Sequence, residues 1–182
     1  MRLTTRTNLA LRTLMVCAVN ADRIVRKSDV AQAVNASENH LAQVINQLGQ
    51  SGFITTLRGR HGGFTLARPA SEISVGAVFR SFEADLPFIE CFSENNTCPL
   101  KGVCRMGEHL AAAVEAFYST LDPLLLSDLV ECNSGLDAVI RLDAQSRLGD
   151  TIRCERALAQ ALKGSAATKA DSAPANALKI EA

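Results

Sequence analysis

Cys91, Cys98 and Cys104 fall within fourteen residues, in the stretch IECFSENNTCPLKGVC, spaced C-x6-C-x5-C with Pro99 directly after the second thiol. Thiolates this close either ligate a metal or pair as a disulfide. A structural zinc site ordinarily shows a tight C-x2–4-C pair and four nitrogen or sulfur ligands. This stretch shows neither, and its nearest histidine, His109, lies beyond it. Iron–sulfur clusters are held by thiolates at looser spacings, with a Cys-Pro step in the loop. Glu90 and Glu94 would repel a further anion, so thiolates gathered here need a cation among them. An iron–sulfur cluster, 4Fe-4S or 2Fe-2S, therefore ranks first, zinc second and a redox disulfide third. Three thiolates leave one iron position to a weaker ligand, where a small molecule such as nitric oxide or an oxidant can attack.

The elements upstream of this loop read as a head that binds a polyanion. Thr4 or Thr5 opens a first helix running to about Ala21, with Leu11, Leu14, Met15 and Ala18 at helical spacing. Ser28 opens a short second helix to Val34, and Asn35-Ala36 breaks it. Ser37 starts a third, where Leu41, Val44, Ile45 and Leu48 form an i, i+3, i+4, i+7 stripe before Gly49 and Gly52 end it. Two short helices about a tight break predict a helix-turn-helix. Phe53–Leu57 and Gly63–Ala67 then read as antiparallel strands about the tip Arg58-Gly59-Arg60-His61-Gly62. A helix-turn-helix followed at once by a basic hairpin is a winged helix. The expected fold is mainly α with this one small β-hairpin.

Opposite the apolar stripe of the third helix, the outward face carries Asn39, Gln43 and Asn46, flanked by Ser37, Glu38 and His40. Amide side chains can bond adenine bidentately in the major groove, so this face suits base readout. Arg58, Arg60 and His61 suit phosphate or minor-groove contacts, and Gly59, Gly62 and Gly63 let the wing backbone approach closely. Arg2, Arg6 and Arg12 suit further contacts to the DNA backbone at the start of the first helix. Residues 1–70 hold nine Lys or Arg against three Asp or Glu, whereas residues 71–182 hold ten against sixteen. The net charge of zero thus hides a basic head on an acidic body. A glycine-rich loop that joins two strands and precedes no helix is no nucleotide cradle.

Ser74 is placed to cap a helix from Val75 to Ala84, leading into the cysteines. From about Val103 to Leu121, Leu110, Val114, Phe117 and Leu121 line one side of a long helix that would pair with a second copy. Leu124–Val130 folds back as a short helix. The division is a winged head over 1–84, a cluster-binding loop over 85–104, a dimerisation region over 103–131, a helical extension over 132–163 and a disordered tail over 164–182. Cys17 reads as a buried thiol, and Cys132 and Cys154 receive no role. No apolar run approaches the ~20 residues of a membrane span, and the opening residues do not read as a signal peptide. A cytoplasmic protein without membrane contact is expected. His40, His61 and His109 lie in separate segments and no triad or carboxylate pair stands out, so no enzymatic activity is expected.

The opening MRLTTRTNLALR, the segment NHLAQVINQLGQSGFITTLRGRHGGFTLARP, and ECF…NTCPLKGVC followed by a long helix and LSDLV resemble the iron–sulfur winged-helix repressors. The resemblance covers about residues 1–131. It implies a homodimer on a palindromic DNA operator, with a cluster held by Cys91, Cys98 and Cys104. The Asn39-His40-Leu41 step and the INQL run are nearest the nitric-oxide-sensing branch. That branch can take a fourth ligand from a carboxylate near the start of the partner's first helix. Asn8 stands at that position here, and a neutral amide is a poor iron ligand, so an iron-responsive repressor of uptake genes is the alternative. Arg12, on the same helical face as Asn8, would tune the cluster's charge. Outside this class stand a zinc-stabilised winged helix without sensing and an electron-transfer iron–sulfur module.

Overall fold

Helix α1, Thr5–Val19, is the post around which the head is built. Thr4 caps it by accepting from Thr7 N, and Leu9, Ala10, Leu14, Val16 and Cys17 are buried along it. The computed structural model describes residues 4–60, 62–83, 97–100 and 103–142. By its contacts the chain divides into two units, Met1–Leu142 and Asp143–Ala182, and all described residues belong to the first. The polar groups sunk along α1 are all bonded, as a dry interior requires. Thr13 Oγ1 donates to Leu9 O at 2.7 Å. Glu83 Oε1 accepts from Thr4 N at 3.0 Å, from Thr4 Oγ1 at 2.8 Å and from Thr7 Oγ1.

Helix α2, Lys27–Ala33, begins one residue before the expected cap. Ser28 sits inside its first turn, and the Asp29 carboxylate accepts from Arg26 N at 3.2 Å. Asn35 takes the left-handed conformation, φ 49°, that turns the chain into α3, a place where Asn is favoured. Helix α3, Glu38–Gln50, starts at Ser37 without a side-chain cap bond and buries Leu41, Val44 and Leu48. Gly52, φ 71°, makes the exit turn. Strands β1, Ile54–Leu57, and β2, Gly63–Leu66, pair antiparallel with Ile54 opposite Leu66 and Leu57 opposite Gly63. Val25, ahead of α2, bridges to Phe64 and ties the hairpin to the head.

After a 3-10 turn at Ala70–Glu72, helix α4, Val75–Glu83, starts where Ser74 Oγ accepts from Ala77 N at 3.2 Å and donates to Asp122 O at 2.8 Å. Helix α5, Met106–Leu121, packs on α4. The two are clamped by Arg80, which bonds Asp122 at 2.8 Å and Glu115 at 3.1 Å and lies over the Tyr118 ring, 4.4 Å from its centroid. The Arg80 guanidinium holds the Asp122 carboxyl below the usual carboxylate range. Phe79 and Phe117 meet edge to face at 5.8 Å, so part of the α5 stripe faces its own α4. Yet none of the sixteen residues of α5 is fully buried.

Helix α6, Leu126–Val130, returns to the head: Leu126 N donates to Ile73 O and Val75 N to Leu124 O, each at 2.8 Å. Helix α7, Ser134–Ile140, lies within the 132–163 stretch. Asn20 holds it, donating through Nδ2 to Ile140 O at 3.0 Å and accepting from Leu142 N at 2.9 Å. Leu126 and Ile140 both join the core cluster of the head. Cys132 is disulfide-bonded. Most of the 132–163 extension and the whole 164–182 tail lie outside the described residues.

Candidate nucleic-acid interface and metal loop

The packing of α3 decides which of its side chains face outward. Leu41, Val44 and Leu48 turn inward, and Ser37, Asn39, His40, Gln43 and Asn46 are exposed together. Two bonds set the helix on its neighbours. Gln47 Nε2 donates to Ser81 O of α4 at 2.8 Å, and Arg6 Nη2 of α1 donates to Gln43 Oε1 at 3.0 Å. Neither has a sequence signal, because the partners lie 34 and 37 residues apart. Lys27 pairs with Glu38 at 3.1 Å across the helix-turn-helix, an exposed pair of small energetic weight.

The wing presents Arg58 and Arg60 to solvent, whereas His61 lies outside the described residues. Gly59 has φ 111°, a conformation that L side chains rarely adopt. Gly62 N bonds Gly59 O at 2.9 Å and closes the tip. Gly63 is pressed against the strand-like Val25: a Cβ there would run into Val25 O and come within 2.6 Å of Ile24 Cγ2. Gly63→Ala is therefore expected to cost about 1–3 kcal/mol by overcrowding and to loosen the wing. Thermal melts, with DNA titrations at two salt concentrations, check both effects.

Of the three loop thiols, Cys91 lies outside the described residues. Cys98 is half-buried, Cys104 is exposed, and neither is in a disulfide. Cys104 N donates to Leu100 O at 3.1 Å in the turn that enters α5. Cys17 behaves differently: it is buried in the head core, and burial pushes its thiol up to about 12, which favours the protonated form. No group of three His, Cys, Asp or Glu suited to a metal is assembled among the described residues. The donor types nonetheless fit a thiolate-bound centre, because Cys98 and Cys104 stand on either side of the turn that Cys104 N closes on Leu100 O. Asn8 is exposed on α1. Arg12 borders an apolar cleft of about 320 Å³ with Met15, Val34, Leu136 and Ile140.

A family model described as "Rrf2: Iron-dependent Transcriptional regulator" matches residues 3–132. The chain belongs to the Rrf2 family. As an Rrf2 protein it is a DNA-binding transcriptional regulator and not an enzyme. It is 40% identical over 143 residues to the HTH-type transcriptional regulator NsrR of Geobacillus kaustophilus, a match covering 78% of this chain and 97% of that one. To the HTH-type transcriptional repressor NsrR of Streptomyces coelicolor it is 41% identical over 137 residues, covering 74% and 92%. Among solved structures, CymR, the global cysteine regulator of B. subtilis, superposes with a TM-score of 0.58 at 22% identity, covering 71% and 96%. That likeness establishes the shared winged-helix fold. The Rrf2 match spans the helix-turn-helix, the wing, the three loop cysteines and α5. No helix among the described residues is long and apolar enough to cross a membrane.

Proposed function

We propose that this Rrf2 regulator is a homodimeric repressor, that an iron–sulfur cluster held by Cys91, Cys98 and Cys104 controls its grip on a palindromic operator, and that nitric oxide is its signal. One observation carries the reading. Helix α4, which ends directly before the cysteine loop, is bonded to both parts of the reading head: Ser81 O accepts from Gln47 of α3, and Glu83 accepts from Thr4 and Thr7 at the start of α1. A rearrangement that reaches the end of α4 therefore acts on the recognition helix through these hydrogen bonds. When bound, the cluster supplies iron open to attack by a small diatomic ligand. The three thiolates would hold the cluster between α4 and α5, the two helices that Arg80 clamps through Asp122 and Glu115.

Dimerisation through α5 is supported by its lack of any fully buried residue and by the exposure of Met106, its first residue, and of Val103 just ahead of it. A symmetric pair would set two α3 helices about one turn of DNA apart, the spacing a palindrome requires. Readout falls to Ser37, Asn39, His40, Gln43 and Asn46, and backbone contacts to Arg58, Arg60, His61 and Gly62.

A neutral amide at Asn8 favours a second reading, in which iron supply is the signal. Protein purified without air and titrated with nitric oxide or with an iron chelator separates the two, with the cluster's visible absorption and operator binding followed together. Release on nitric oxide addition supports the first reading. Release on chelation, with indifference to nitric oxide, replaces it with the second. A colourless chain holding zinc refutes both.

A further inference from the structure

The contact between Arg6 and Gln43 changes what the recognition face can read. Gln43 is exposed in the middle of α3, and Arg6 Nη2 donates to its Oε1 at 3.0 Å. A guanidinium has five N–H donors and no acceptor. Only the amide oxygen can satisfy Arg6, so Oε1 is engaged on the Arg6 side and Nε2 remains the end that can donate to a base. Adenine needs both ends of an amide, the oxygen to accept from N6 and the nitrogen to donate to N7. Guanine presents only acceptors, N7 and O6, along its major-groove edge.

Arg6 is also held in register. It lies in the first turn of α1, which Glu83 fastens by accepting from Thr4 N at 3.0 Å, Thr4 Oγ1 at 2.8 Å and Thr7 Oγ1. Arg6 and Gln43 share a cleft of about 380 Å³ with His40 and Leu9, open beside the reading face. The nearest carboxylate on α3, Glu38, is occupied by Lys27 at 3.1 Å and does not compete for the guanidinium.

We infer that Arg6 and Gln43 form one donor-rich reading unit, in which Arg6 is the positioning residue and its bond takes one of the two Oε1 lone pairs, and that this unit selects guanine rather than adenine at the base pair beneath Gln43. The inference rests on the DNA-reading role proposed above for α3.

The test is selection of the full-length protein, purified without air, on a pool of randomised duplexes, comparing wild type with Arg6→Met and Gln43→Ala. Both side chains are exposed, so neither change removes a core contact. Wild type is expected to prefer guanine over adenine by about tenfold at the position whose preference vanishes in Gln43→Ala. Arg6→Met is expected to bring that ratio to unity or tip it toward adenine, with the other positions unchanged. Adenine preference in wild type at that position overturns the inference. So does an Arg6→Met chain that keeps the guanine preference while binding all duplexes more weakly, with a salt slope reduced by about one, because Arg6 is then a phosphate contact. If wild type enriches no sequence, or Gln43→Ala alters no position, the assignment of α3 as the reading helix fails and the inference falls with it.

Discussion

Cys98→Ser and Cys104→Ser chains, purified without air, are expected to be colourless and to bind operator about a thousandfold more weakly than wild type, near the level of non-specific DNA binding. A cluster on three thiolates loses a third of its sulfur ligands when one goes, and a neutral hydroxyl does not replace a thiolate on iron. The loop between α4 and α5 then loses its anchor, and α4 is free to shift the bonds it makes to Gln47, Thr4 and Thr7. Cys17→Ala is the control. Its buried, protonated thiol is expected to matter for packing alone, leaving iron content and operator affinity unchanged. Iron and sulfide analysis beside a gel-shift titration reads all three variants. Full iron loading of Cys104→Ser would remove that residue from the ligand set.

The second large effect is expected at Leu126, a fully buried residue of a five-residue helix far along the chain. Leu126→Ala is expected to destabilise the head by about 2–5 kcal/mol, the range for emptying a close-packed leucine site. A domain of this size has only about 5–15 kcal/mol in total, so the change is severe. It reaches the winged helix because α6 packs on α1 and its backbone bonds Ile73 beside α4. Val139→Ala, on α7 and 70% exposed, is expected to stay within about 0.5 kcal/mol of wild type. Urea denaturation followed by far-UV circular dichroism measures both. A loss under 1 kcal/mol for Leu126→Ala would show that α6 does not brace the head.

The winged helix was legible because its parts are local. A helix sorts its faces every 3.6 residues, so the inward stripe Leu41, Val44, Leu48 and the outward face Asn39, Gln43, Asn46 follow from spacing alone. The hairpin follows from β-formers flanking a glycine-rich tip, and the structure pairs Ile54 with Leu66 accordingly. Boundaries moved where a competing local bond won. Asp29, rather than Ser28, completes the start of α2, and α5 begins at Met106, after the turn that holds Cys104. The long-range hydrogen bonds were invisible. Nothing in the residues around Asn20 announces Ile140 as its partner, and nothing around Glu83 announces Thr4 and Thr7, because such contacts have no period along the chain.

Composition and spacing alone determined a basic winged helix followed by three closely set thiols, since periodicity, turn chemistry and sulfur donor type are properties of neighbouring residues. Only tertiary structure decided that α6 and α7 fold back into the head, that α4 is bonded to both α1 and α3, and that Arg6 reaches Gln43. Those outcomes depend on which buried surfaces fit one another once the chain has closed, and that fit is set by packing among residues far apart in the chain.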